Sequence, residues 1–318
     1  MRSPRVSVNK PDVLVVAPLF APTLAQLEGE FHCHRYFAAS DPAALLAEVG
    51  SRVRGVASFL SMPRDLFAKL PALEIISNFG VGVDGIDLAE AKRRGVIVTN
   101  APEVLNDCVA DTALGLTLNL LRRFPRAEAH LRSGDWAVQG PFALATSLGG
   151  KTMGILGLGR IGEAIARRSL ACGMQIRYHN RRRKDIAYAY EPDPIALARA
   201  SDVLMIAIPG GEETRRLVGV EVLDALGREG YLVNIARGSV VDEPALLRYL
   251  QEKRIAGAGL DVFADEPNVP PAFFALENAV LLPHVASATV ETRTAMGNLQ
   301  LENLRRHFSG RPVLTRVA

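Results

Sequence analysis

The sequence predicts an α/β fold of two doubly wound parallel-sheet domains, and three observations carry that prediction. Apolar stretches of strand length alternate along the chain with segments of helical periodicity, the pattern of parallel sheets covered by helices. One apolar run, Thr152-Met153-Gly154-Ile155-Leu156, leads straight into Gly157-Leu158-Gly159-Arg160-Ile161-Gly162. This is a G-x-G-x-x-G between a strand and a helix. The chain has 318 residues, beyond the size at which one hydrophobic core keeps growing.

Residues 13–17 read as a buried strand, 23–30 as a helix, and 42–49 as a second helix with Asp41 at its N-cap. Strands follow at 56–59, 74–78 and 96–99, with helices at 63–70 and 87–94 between them; Gly95 stops the latter. This unit carries no phosphate fingerprint and reads as a smaller, flavodoxin-like domain. A Leu- and Ala-rich helix at 107–122 and a helical stretch to 132 lead into a Gly- and Trp-containing loop at 133–150. Loops of that length are uncommon inside compact domains, so residues 104–150 are expected to pack on a second copy in a homodimer. Trp136 either reaches the neighbour or lies half-buried on its own loop.

From 152 onward six strands can be counted, at 152–156, 175–179, 202–208, 231–236, 258–262 and 280–282, the number in two mononucleotide-binding halves. Helices fall behind the fingerprint up to Gly173, at 221–226 and at 243–252. Residues 289–308 turn helical again and are expected to cross back. The expected division is 1–101 plus 287–318 as a substrate domain and 102–286 as a dinucleotide-binding (Rossmann) domain, with a cleft between them.

The bulk properties narrow the function classes. A net charge of +3 gives no basic excess for nucleic acid. The longest greasy stretch, 109–121, contains Asp111 and Asn119 and is too short to span a bilayer. Cys33, Cys108 and Cys172 have no metal-ligand or C-x-x-C spacing and read as free thiols of a reducing, cytoplasmic compartment. His32 and His34 flank Cys33, but no further ligand is near in sequence, so no metal is expected.

In the fingerprint, Gly157 permits the tight turn, Gly159 lets a pyrophosphate approach the backbone, and Gly162 lets helix and strand pack closely. The helix N–H groups and dipole then hold the anion. An acidic residue about twenty positions on would bind the adenine ribose of NAD. Here the strand ends in Asn180-Arg181-Arg182-Arg183. Asn does not repel a 2′-phosphate and Arg pairs with it bidentately, so NADP is expected, with NAD as the lesser partner.

Polar groups stand at the ends of later strands, where open α/β sheets bind ligands. They are Arg237 in Asn234-Ile235-Ala236-Arg237-Gly238, Asp261 and Glu266 in Gly259-Leu260-Asp261-Val262-Phe263-Ala264-Asp265-Glu266-Pro267, and His284 in Leu282-Pro283-His284. With the glycine fingerprint, and with Asn78-Phe79-Gly80-Val81-Gly82-Val83-Asp84 nearer the start, these motifs resemble the D-2-hydroxyacid dehydrogenase family over nearly the whole chain. The branch they resemble is that of the glyoxylate/hydroxypyruvate and hydroxyphenylpyruvate reductases.

The chemistry agrees with the resemblance. Reduction of a 2-oxo acid needs a hydride, a proton for the new alkoxide and a cation for the carboxylate. His284 suits the proton donor. Glu266 suits the group that orients the imidazole and favours its charged form. Arg237 offers a planar fork to the carboxylate and the 2-oxo oxygen. Backbone N–H groups of Val81 and Gly82 are candidate carboxylate donors from the first domain, with Leu60 overlying the substrate side chain. The resemblance further implies that Asp261 meets the nicotinamide end, with Ile208, Pro209, Thr214 and Ala236 lining the rest of the cofactor site. Two other readings stay open: a nucleotide-sensing corepressor on the same scaffold, which the Arg, Glu and His set argues against, and a formate or phosphite dehydrogenase. Formate is disfavoured because Glu266 stands where the formate enzymes carry Gln.

Overall fold

The computed structural model describes residues 10–318. It divides into two compact units, one formed by the chain up to Leu105 with Thr289–Ala318, the other by Asn106–Ala288.

In the first unit, strands β1 (Asp12–Val15), β2 (His32–Arg35), β3 (Val53–Ser58), β4 (Ile75–Asn78) and β5 (Ile97–Thr99) form one parallel sheet in the order β2-β1-β3-β4-β5. This is the flavodoxin-like order. Alternation along each strand sends residues to opposite faces. Val13, Val15 and Ile75 pack with Leu27 and with Leu301 and Leu304 of helix Val290–Phe308. Leu14, Val56, Ile76 and Val98 pack with Leu46, Val49, Leu66 and Phe67. Asp41 caps helix Pro42–Val49 by accepting from the N–H groups of Ala43 and Ala44. Helix Leu88–Arg94 ends at Gly95, whose φ of +70° is the left-handed region glycine tolerates.

Strand β2 is absent from the sequence reading. His32-Cys33-His34-Arg35 lacks apolar alternation, and only its pairing with β1 as the sheet's edge makes it a strand. Burial pushes the Cys33 thiol up to about 12, with the charge of Glu28 adding to it.

The second unit holds β6 (Thr152–Leu156), β7 (Gln175–His179), β8 (Ala189–Tyr190), β9 (Val203–Ile206), β10 (Tyr231–Asn234), β11 (Gly257–Leu260) and β12 (Ala279–Leu281). All are parallel, in the order β12-β11-β10-β9-β6-β7-β8. Counted from β6 this is the Rossmann order, 3-2-1-4-5-6, with a seventh strand added. The expected six strands thus become seven. The overlooked third strand, β8, is two residues long and shows no periodicity to read. Tyr190 on it meets Tyr178 of β7 edge-on, with ring centroids 5.4 Å apart.

The expected loop at 133–150 contains a short helix, Asp135–Gln139, set between Gly134 and Gly140, both with positive φ. Helix Asn106–Arg122 lies against Arg160–Ala171, and Arg168 bridges to Asp111 at 2.6 Å and Asp107 at 3.1 Å. Among the described residues, no helix is long and apolar enough to cross a membrane.

Candidate active site

The glycine turn leaves β6 at Gly157, whose φ is +102°. A Cβ there would lie 2.7 Å from Ala207 O and from Ile208 Cγ2, so the residue after β9 closes one side of the turn. At Gly162 a Cβ would lie 2.3 Å from Gly157 O, which keeps helix Arg160–Ala171 against the turn. Gly159 differs: an added Cβ meets nothing within 4 Å. It is the N-cap of that helix and brings no side chain to cap it. Open space beside Gly159 and a helix start without a side-chain acceptor fit an external phosphate. Leu158 is fully buried beneath the turn, and Ile161 follows in the helix's first turn.

Asn180 follows β7 and reaches back to this turn. Its Oδ1 accepts from the Leu158 N–H at 2.7 Å, and its Nδ2 donates to Leu158 O at 3.4 Å. The sequence reading gave Asn180 only the part of a neutral residue that does not repel a 2′-phosphate; its hydrogen bonds make it a shaper of the turn as well. Arg181 and Arg182 are exposed, and Arg181 pairs with Glu213 at 3.2 Å. Thr214 Oγ1 donates to Pro209 O at 2.9 Å, tying together the loop after β9.

Three further strand ends carry the residues expected to be catalytic. At the end of β10, the buried Asn234 accepts from Ala236 N–H at 3.0 Å and donates to Arg237 O at 2.9 Å, fixing the turn that presents Arg237. Next to it, a Cβ on Gly238 would lie 1.9 Å from the carbonyl carbon of Phe263. Only glycine lets these two backbones touch. The touching segment carries Glu266, whose Oε1 accepts from Phe263 N–H at 3.0 Å.

After β12, His284 adopts a φ of +54°, rare for a side chain with a Cβ. Asp261, at the end of β11, over-determines that conformation. Its carbonyl accepts from His284 N–H at 2.8 Å, and its carboxylate accepts from Val285 N–H at 2.7 Å and Ala286 N–H at 2.9 Å. Burial raises the Asp261 carboxyl above the ordinary range, and the two backbone bonds offset only part of this.

The imidazole so aimed meets Glu266: Nδ1 lies 2.6 Å from Oε2. Burial pushes the Glu266 carboxyl up, but the His284 bond, the Phe263 N–H and the charges of His284 and Arg237 outweigh it and hold it below the ordinary range. Ionised Glu266 therefore takes the Nδ1–H. Nε2 is left as the ring nitrogen for proton exchange.

In the first unit, the expected substrate loop follows β4. Asn78 Nδ2 donates to Gly80 O at 3.0 Å and Gly82 O at 2.8 Å, while Asn100 Nδ2 donates to Val81 O at 2.8 Å. All three carbonyls are thus held. Leu60, with a φ of +68°, follows β3 on the same edge of the sheet. Sequence reasoning missed Asn78, Asn100 and Asn234 as shapers of loops. A polar residue closing an apolar strand, as Asn78 and Asn234 do, was the available signal.

Two features lie apart from these residues. A surface cavity of about 670 Å³ opens at the opposite, N-terminal edge of the second sheet, lined by Leu120, Arg123, Thr146, Tyr231, Ala256 and Asn278 among others. Near β2, strand pairing sets Asp12, distant in sequence, beside His32 and His34.

Residues 114–286 match the model of the D-isomer specific 2-hydroxyacid dehydrogenase NAD binding domain. The chain is 47% identical over 308 residues to glyoxylate/hydroxypyruvate reductase A of Arabidopsis thaliana, covering 96% of this chain and 98% of that one. It is 45% identical over 308 residues to hydroxyphenylpyruvate reductase of Plectranthus scutellarioides, with the same coverages. A crystal structure of an NADPH-dependent glyoxylate/hydroxypyruvate reductase from Sinorhizobium meliloti, in complex with NADP and malonate, superposes with a TM-score of 0.91 at 46% identity, covering 97% of each chain.

Proposed function

The chain belongs to the D-isomer specific 2-hydroxyacid dehydrogenase family, and on that premise we propose that it reduces a small 2-oxo acid of the glyoxylate or hydroxypyruvate type to the D-2-hydroxy acid with NADPH. The observation that carries the reading is the 2.6 Å contact of His284 with Glu266, beyond the carboxyl ends of β12 and β11 in the same sheet whose β6 and β10 lead into the glycine turn and Arg237. When bound, the reduced nicotinamide supplies the hydride. Arg237 holds the substrate carboxylate and polarises the 2-oxo oxygen. His284 Nε2 delivers a proton to that oxygen as negative charge develops on it, and Glu266 stabilises the imidazolium before transfer. Both relatives' names support the substrate class, and the hydroxyphenylpyruvate reductase keeps an aromatic 2-oxo acid as the second reading.

NADPH is favoured over NADH by Arg181 and Arg182 and by the neutral Asn180. If two arginine contacts contribute about 1.5 kcal/mol each, the preference is on the order of 100-fold. Steady-state kinetics with glyoxylate, hydroxypyruvate and hydroxyphenylpyruvate, each with both cofactors, test the whole reading. Turnover of none of the three removes it.

The active form is proposed to be a cytoplasmic homodimer. The free thiols of Cys33 and Cys172 suit a reducing compartment. Trp136, Val138 and Leu144 are 61%, 85% and 98% exposed on the segment after helix Asn106–Arg122, an apolar patch that a second copy would cover. Light scattering that returns a monomer overturns this part.

A further inference from the structure

We propose that Asp12, His32 and His34 form a surface site for a divalent transition-metal cation of the imidazole-preferring class, zinc foremost. It lies on the edge of the first sheet and is separate from the reductase chemistry.

The strand ladder builds the site. His32 and His34 are two apart on β2, so both rings stand on one face, with centroids 4.8 Å apart. Cys33 between them points to the other face and packs in the apolar cluster around Leu27 and Phe308. Asp12 pairs with His32 in register across the β1–β2 ladder. One carboxylate oxygen, Oδ1, lies 2.6 Å from His34 Nε2 and 3.3 Å from His32 Nδ1. Donor atoms from the three residues all fall within 4.8 Å of one another. Bonds of about 2.1 Å in a tetrahedral shell put ligand atoms about 3.4 Å apart, so a small opening of the His34–Asp12 contact admits the ion. Two imidazoles and one carboxylate select zinc or its neighbours over magnesium or calcium, which prefer oxygen alone. Three protein ligands leave a fourth position for water.

Arg52 is the competitor. Its Nε lies 3.1 Å from the same Asp12 oxygen, so its cation now occupies part of the charge that a metal would claim. It has somewhere else to go: its guanidinium already bonds Glu48 O at 3.0 Å and lies 3.9 Å from the Glu48 carboxylate. Metal binding therefore transfers Asp12 from Arg52 to the ion. Removing Arg52 strengthens the site, the opposite of what loss of a merely structural contact would do.

The test uses the full chain, stripped with a chelator and titrated with zinc chloride by calorimetry. Cobalt(II) absorption serves as a second readout of imidazole ligation. The parent is expected to bind one zinc per chain at this site and to unfold at a higher temperature with zinc present. His32→Gln, at an exposed position that folding does not depend on, weakens binding by more than about tenfold, since loss of a ligand exceeds the effect of a supporting contact. Asp12→Asn abolishes the site, and Arg52→Gln tightens it several-fold. Zinc binding that His32→Gln and Asp12→Asn leave unchanged would place the ion elsewhere, at His284 with Glu266 or His307 with Glu74, and overturn the proposal. So would weaker binding in Arg52→Gln, or no binding below millimolar zinc.

Discussion

Asn180 Oδ1 accepts the backbone N–H of Leu158 at 2.7 Å, so the residue at the end of β7 holds the glycine turn that β6 opens. Position 180 therefore shapes the turn, and under the proposed function it also sets the charge beside the adenosine ribose. Two substitutions separate them. Asn180→Asp keeps an acceptor for Leu158 but adds a negative charge, so KM for NADPH rises by more than about tenfold while NADH is used as well or better. Asn180→Ala loses the bond, worth about 1 kcal/mol, and weakens both cofactors about fivefold. Fluorescence titration of both cofactors reads the difference. Equal losses in the two variants would show that the charge has no part.

Removing the imidazole tests the proton donor. His284→Ala is expected to lose about two to four decades of kcat while NADPH still binds, because positioned proton transfer contributes on that scale. Glu266→Gln keeps the size and one acceptor but removes the charge beside the imidazole, so its kcat falls, though less than in His284→Ala. Unchanged kcat counts against the role of Glu266.

Acid sensitivity follows from the same pair. The Glu266 carboxyl titrates below its ordinary 4.5 in the folded protein. Its stabilising contribution is complete above that value and is lost as pH falls through the lower, folded one. Urea midpoints taken at about pH 6 and about pH 3 are expected to fall further for the parent than for Glu266→Gln. Parallel falls in the two proteins would refute the linkage.

A methyl group at position 238 should be costly. Gly238→Ala drives a Cβ to within 1.9 Å of Phe263 backbone, and backbone cannot rotate away as a side chain can. The expected cost is about 1–3 kcal/mol of stability, typical of overpacking. Shifting Phe263 moves Glu266, which its N–H holds, so kcat falls as well. Thermal unfolding and kcat are measured together; a stable variant with full activity would mean that the two segments move freely.

Much of the architecture was legible because physical chemistry left strong marks. Asp41 announced a helix start, Gly95 a helix end, and the glycine turn a strand–helix junction. The parallel sheets followed from buried apolar strands separated by helices. What escaped notice was set by partners distant in sequence. Strand β2 exists because β1 pairs with it, and β8 because β7 does. For the same reason the Asp12, His32 and His34 grouping was hidden: its acid stands on the neighbouring strand, outside any local spacing. At the site, Arg237, Glu266 and His284 stood out by their positions after strands. Of the residues that aim them, Asn234 left only the mark of a polar residue closing an apolar strand, and Gly238 acts through a backbone contact that no residue pattern displays.

The first sheet is assembled from two stretches of polypeptide. Helix Val290–Phe308 supplies Leu301 and Leu304 to its core, Gln300 Nε2 donates to the carbonyls of Ser58 and Ser77, and Val98 N–H reaches Ala318 O. On a ribosome, strands β1 to β5 emerge long before that helix exists, whereas everything in 106–288 is in hand once residue 288 has left the exit tunnel. The order of maturation therefore reverses the order of synthesis: the nucleotide-binding half is finished while the half translated first still waits with one apolar face uncovered.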